Sequence, residues 1–202
     1  VRFGGVVMEA PPAEARRRVA LAAAPHLRGL VSRARRAIVL FDDAPDVLEF
    51  SASREAQALC GIGPATPDHT IYTKRLPCFV PVDRPADAEA VKAALGAAVA
   101  GFAADYAAYF DAHNRQGATL TDPYPRVIVV AGLGMFTAGK DRRTAGIVSD
   151  IYHHTISVLG AASSFGPYVS LSAQDAFDVE YWPLELYKLA QAPPERELSR
   201  RV

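Results

Sequence analysis

The densest group of side chains able to do chemistry is Thr66-Pro67-Asp68-His69, followed closely by Lys74-Arg75. It gathers an acid, an imidazole and two cations within ten residues, on a stretch stiffened by Pro64 and Pro67. A forked guanidinium beside an ammonium is a donor set for a carboxylate or a phosphate. Thr66, Asp68, His69, Lys74 and Arg75 are therefore the candidate ligand-binding residues. The competing reading is structural: Asp68 closes a turn, and both cations face water.

Other chemistry-bearing residues are more scattered. The histidines are His26, His69, His113, His153 and His154, with no HxH and no HExxH among them. Neighbours on a helix point about 100° apart, so His153 and His154 do not readily share one metal. A zinc site needs three or four convergent ligands, and no local spacing supplies them. His154 falls on the apolar side of its predicted helix, as a hydrogen-bonded core or interface residue would. Gly132-Leu133-Gly134 follows a buried run, but a dinucleotide fingerprint needs a small residue where Thr137 stands. Gly134 and Gly139-Lys140 have P-loop spacing, yet Asp141 occupies the position of the magnesium-binding hydroxyl. A tight hairpin turn is the better reading of 132–134. Ser163 and Ser164 have no identifiable base, so no hydrolase triad is expected. The acidic, aromatic run 178–185 holds Trp182 and reads as a docking surface or as a lid over the local core.

Composition limits the rest. The 202 residues carry 22 Lys+Arg and 22 Asp+Glu, a formal balance of zero. A nucleic-acid partner or a polybasic membrane anchor would show a basic excess, so neither is expected. No apolar run approaches the ~20 residues that span a bilayer. Cys60 and Cys78 are too few for a disulfide framework, which points to a reduced, cytoplasmic setting, with one bridge as the alternative. The chain opens at Val1 without a signal-peptide pattern and closes on a polar tail. Both ends suggest a piece of a longer protein.

The elements that must hold these residues alternate between strands and long helices. A helix is predicted over 13–35, with Pro25 kinking or splitting it. A strand follows at 37–41, and 47–50 is either a second strand or a helix start. Ser53 is placed to cap a helix over 54–60. Residues 70–79 read as extended, with Pro77 limiting them to an edge. Val91, Leu95, Val99, Phe102, Tyr106 and Tyr109 recur at helical spacing within 87–113. Strands at 127–131 and 135–137 lead to a helix over 142–164, whose apolar face would carry Ile147, Ile151, His154, Val158 and Ala162. Residues 168–171 are short and extended, Ser172 starts a turn of helix, and Pro183 opens a last helix to 190. The fold class is α/β, a three-layer α/β/α sandwich on a mixed, mostly antiparallel sheet.

Four separated blocks, GPATPDHTIYTKRLPCFV, RVIVVAGLGMFTAGKD, SDIYHHTISVLGAA and DAFDVEYWPLELYKL, give the chain a family resemblance. It resembles the middle region of bifunctional rhamnulose-1-phosphate aldolase/short-chain dehydrogenase proteins, from about residue 33 to the end. Residues 127–140 are also similar to the class II aldolase segment in which a strand ends in Asn-His-Gly. Residues 37–47 are similar to the aldolase strand ending in His-x-His. Under that likeness the three zinc-ligand positions are Leu40, Asp42 and Leu133.

The resemblance implies a degenerate class II aldolase/adducin-like domain that keeps the scaffold and has lost its metal site. One carboxylate with two aliphatic side chains does not hold zinc. The implied layout is an N-terminal helical segment at 1–36, the aldolase-like domain at 37–190 and a linker at 191–202 leading to a dehydrogenase domain. Zinc and NAD would belong to flanking aldolase and dehydrogenase domains, with neither metal nor cofactor in this chain. The segment itself would have no catalytic residue. It would space or dock those domains within rhamnose-type sugar catabolism and form a homo-oligomer. Two alternatives stand beside this. One is a module binding a phosphorylated or carboxylated sugar through 66–75. The other is an active lyase with a metal on His69, His154 and Asp42.

Overall fold

In the computed structural model, β-branched and aliphatic residues dominate two strands, β1 (Ile38–Asp42) and β3 (Val127–Val130). Gly132 and Gly134 fold β3 back onto β4 (Gly134–Gly139). Both glycines have positive φ, +65° and +138°. A Cβ at Gly134 would lie 2.6 Å from the Asp42 carbonyl, so this hairpin needs glycine for space as well as for conformation. The strand order is β1-β4-β3-β2, where β2 is Cys78–Val80. β1 and β3 run antiparallel to β4, and β2 runs parallel to β3. The description covers residues 1–191 other than Thr121 and Ser164, and leaves out the side chains of Asp68 and residues 188–190. The linker expected over 191–202 therefore lies outside the described residues, apart from Gln191.

All four residues of β3 are buried, and they alternate between two apolar clusters. Ile128 and Val130 join Phe136, Ala138 and Leu133 against α1 (Ala13–Val31) and α5 (Ala88–His113). Val127 and Val129 join Met135 against α6 (Arg142–Ala162) and α2 (Pro45–Ser51). The architecture is mixed α/β around a four-stranded open mixed sheet. The Asp87 side chain caps α5 by accepting from the Glu89 and Ala90 amides, and Asp141 caps α6 through the Thr144 amide. Among the described residues, α5 alone is long and apolar enough, by length and composition, to cross a membrane. Its many alanines supply that hydropathy, and its Val91, Leu95, Val99, Tyr106 and Phe110 stripe is buried here.

Several expectations need correction. Residues 70–79 are not extended throughout: α4 (Thr70–Thr73) is a helical turn, and only 78–80 form a strand. Helix 47–50 wins over a strand, because Pro45 at the first turn starts α2. Ser53 caps nothing. Its hydroxyl donates to the Phe50 carbonyl, and α3 starts later, at Ala56–Cys60. Pro25 leaves α1 continuous. The buried face of α6 is Val148, Tyr152, Ile156 and Leu159, one residue round from the predicted stripe, and His154 is exposed.

Candidate functional site

Two features of the chain at Lys74 are unusual. Its backbone sits at φ 61°, ψ 173°, a region that side chains other than glycine's rarely adopt. Its ammonium is also buried rather than solvated. The turn α4 ends there, and the reversal into β2 drives the side chain inward. Lys74 Nζ donates to the Asp122 carbonyl at 2.7 Å and lies 3.6 Å from the centroid of the Tyr106 ring. Asp122 in turn accepts from Arg126 at 2.7 Å.

Tyr106 links this cation to a buried acid. Its hydroxyl donates to Glu180 Oε1 and lies 2.8 Å from the hydroxyl of Tyr181. Glu180 and Tyr181 stand at the end of α7 (Ala173–Glu180), which Ser172 caps by accepting from the Asp175 amide. Burial pushes the Lys74 ammonium down to about 8, against the attraction of Glu180 that holds it up. Burial raises the Glu180 carboxyl, opposed by Lys74 and by the Tyr106 hydrogen bond. Each group is thus displaced toward its neutral form, and each depends on the other to stay charged.

Beside this network a cavity of about 380 Å³ opens between α5, α3 and the 75–79 strand run-in. Among the described residues Arg75 is the one cation in its wall. Arg75 Nε is buried without a hydrogen-bond partner among the described residues, and so is the Tyr109 hydroxyl. The guanidinium lies 5.5 Å from the Tyr109 ring centroid. Tyr106 and Phe102 stack at 6.2 Å and complete an aromatic side. Cys60 and Cys78 also line the cavity as free thiols. Burial pushes both up to about 12, so they stay neutral.

A second polar group forms where β1 ends. Asp42 Oδ2 accepts from Ser149 Oγ at 2.9 Å and pairs with His153 Nε2 at 2.8 Å, while His153 Nδ1 pairs with Asp46 at 2.7 Å. Burial alone would raise the Asp42 carboxyl, but hydrogen bonds from His153, the Ala44 amide and Ser149 hold it below its usual value. Burial alone would lower the His153 imidazole, but the two carboxylates raise it.

The predicted residues separate across these places. Arg75 lines the cavity and Lys74 sits in the buried network, with its ammonium committed to protein groups. Thr66 and His69 stay on the 3-10 turn Pro67–His69 or at its start, and His69 meets the His154 ring at 5.9 Å. The Asp68 side chain lies outside the described residues. Asp42 pairs with His153, not with His69 or His154. Of the positions aligned with the aldolase ligands, Leu40 and Asp42 alternate with Val39 and Phe41, which pack in the α1–α5 cluster. Leu133 is fully buried in that same cluster, on the opposite side of the sheet from Leu40 and Asp42. Among the described residues no group of three or more His, Cys, Asp or Glu side chains is placed to hold a metal ion. The sequence reading missed Tyr106, Tyr109, Asp122 and Arg126, and met Glu180 only as part of an acidic aromatic run.

Comparison with known proteins locates this fold in a family. The model for "Aldolase class II, second domain" matches residues 18–189. A curated protein of Bacillus subtilis (strain 168), named "Uncharacterized oxidoreductase YuxG", is 38% identical over 201 residues. That alignment takes in 99% of this chain and 29% of the relative, so the chain spans less than a third of the longer protein.

Proposed function

The chain belongs to the aldolase class II second-domain family, and from that premise we propose that it is a metal-free aldolase-like module of a longer two-activity sugar enzyme. In this reading a zinc-dependent class II aldolase domain and an NAD-dependent short-chain dehydrogenase domain flank it. It spaces and docks them, as a cytoplasmic homo-oligomer, in rhamnose-type deoxysugar catabolism. The scaffold is read as the three-layer α/β/α sandwich, with one apolar cluster on each face of the sheet. The observation that carries the proposal is the fate of the ligand positions. Leu40 and Leu133 are aliphatic, and the Asp42 carboxylate is engaged by His153 and Ser149. These places therefore offer one committed carboxylate where zinc needs three or four ligands. The relative's name and its greater length are in keeping with an oxidoreductase activity carried elsewhere in the longer protein.

The test is metal analysis of the purified chain, with zinc titration by calorimetry. Trace metal and no stoichiometric isotherm are expected. About one tightly held zinc per chain would overturn the proposal and make His69 and His154 the first residues to mutate.

A second reading is favoured by Arg75 and Tyr109. Their buried N–H and O–H, without a hydrogen-bond partner among the described residues, stand in a cavity wall and fit a module that binds an anion, a phosphorylated or carboxylated sugar, without turning it over.

A further inference from the structure

The cavity at Arg75 is more selective than a general anion site. Among the described residues its one cation stands against a largely apolar lining, Phe79, Phe102 and the Tyr106 ring, with Leu76, Pro77 and Ala98, and one carboxylate, Asp105, at the exposed rim. The Tyr106 hydroxyl is already committed to Glu180 and Tyr181, so this residue offers a ligand its ring rather than a hydrogen bond. The two thiols stay protonated and contribute only weak donors. The remaining polar residues, Gln57 and Asp105, are exposed. A polyhydroxylated ligand would meet few protein partners along the apolar wall and would leave its hydroxyls to water at the rim, so the cavity returns little for it. The Asp105 carboxylate at the rim repels any anion, and a phosphate dianion about twice as strongly as a monoanionic carboxylate. One carboxylate can accept from both the Arg75 guanidinium and the Tyr109 hydroxyl, and an apolar or aromatic body fits the wall beyond.

The geometry points to a binding site for a monoanionic amphipathic carboxylate, an aryl or branched-alkyl acid, with its carboxylate on Arg75 and Tyr109. This rests on the anion-binding reading above and narrows it from sugars to apolar acids. Gly101 makes the site testable without breaking the fold. It lines the cavity within α5, and a Cβ added there meets nothing within 4 Å. Gly101→Leu therefore adds bulk at the exposed rim of the cavity, from a helix that gains in propensity.

The experiment is calorimetric and NMR titration of the chain with phenylacetate, its neutral analogue 2-phenylethanol, fructose 1-phosphate and inorganic phosphate. Phenylacetate should bind saturably, at least tenfold more tightly than the other three. Arg75→Met should weaken it about ten- to a hundredfold, the loss of a charge-assisted pair. Gly101→Leu should weaken it at least severalfold while the thermal midpoint holds or rises. If fructose 1-phosphate binds more tightly than phenylacetate and loses that binding in Arg75→Met, the narrowing to apolar acids fails and anion binding survives. If no anion binds, both fail. Phenylacetate binding that neither substitution alters overturns the assignment to this cavity.

Discussion

Replacing Lys74 with methionine tests the buried network most directly. Methionine keeps the length of the stem and removes the ammonium. That loses the hydrogen bond to the Asp122 carbonyl and the contact with the Tyr106 ring. It also leaves Glu180 as an acid whose Oε2 has no hydrogen-bond partner among the described residues. Lys74 and Glu180 attract each other across Tyr106 without direct contact, and removing one such buried, hydrogen-bonded charge costs about 1–3 kcal/mol. The hydrogen bond and ring contact lie within that figure, because the relief of burying an ammonium offsets part of them. Removing both charges, as in Lys74→Met with Glu180→Leu, should cost less than the sum of the single changes, by about 0.5 kcal/mol or more. The assay is urea unfolding of the four proteins, followed by circular dichroism. With a slope of about 2 kcal/mol/M, Lys74→Met should lower the midpoint by roughly 1 M. The pH dependence has a definite sign. Lys74 titrates at about 8 in the folded chain, below its ordinary 10.5. Between those values the unfolded chain holds the proton and the folded chain does not, so stability rises with pH across that window. This rise should vanish in Lys74→Met. A cost under 1 kcal/mol, strict additivity in the double variant or an unchanged pH slope would refute the buried pair.

Three further outcomes are expected. Gly139→Ala should destabilise the chain by about 1–3 kcal/mol, seen as a lower thermal midpoint, because its Cβ would lie 2.5 Å from the Ala145 amide nitrogen, where α6 crosses β4. His153→Gln should cost about 0.3–1 kcal/mol near pH 5.5, the range for half-exposed pairs. The raised imidazole gives its stabilisation fully below 6.5 and loses it as pH climbs through the folded value, while the Asp42 share is lost only when pH falls through that carboxyl's lowered value. Wild type and variant should therefore converge by pH 9, and a gap of unchanged size there would contradict the pairing. Cys60 and Cys78 should resist a thiol reagent at pH 8 until urea unfolds the chain, since burial holds both thiols near 12. Rapid labelling of the native chain would contradict their burial.

Much of the scaffold was legible because its signals are local. The runs at 127–131 and 37–41 read as strands, within a residue of the observed 127–130 and 38–42, the glycines at 132 and 134 read as a turn, and Asp87 and Asp141 stand where the long helices begin. The errors fell where two local signals compete. Residues 70–73 are Thr-Ile-Tyr-Thr, strand formers that tertiary contacts hold in a helical turn. Along α6 two adjacent stripes are both apolar, and burial of Tyr152 against Cys60 selects the one that spacing did not. The candidate site was half visible. Lys74 and Arg75 stood out as cations on a stiff loop, but their partners Tyr106, Asp122 and Glu180 come from three distant elements with no shared spacing. Nothing in the neighbourhood of residue 74 tells an ammonium turned inward from one in water.

The sheet joins its first strand to its last. β1 ends at Asp42, yet the strand it pairs with begins at Gly134, more than ninety residues later. During synthesis, Ile38–Asp42 must wait with its edges unsatisfied until β3 and β4 have left the ribosome. The β3–β4 hairpin is the one local nucleus, and closing the long loop back to β1 is the entropically costly step. A chain stopped anywhere before residue 134 would hold α1 and α5 with no completed sheet to cover. Such intermediates expose apolar surface and rely on chaperones. In a longer protein that begins with another domain, that earlier domain would finish folding while this one was still waiting for its centre.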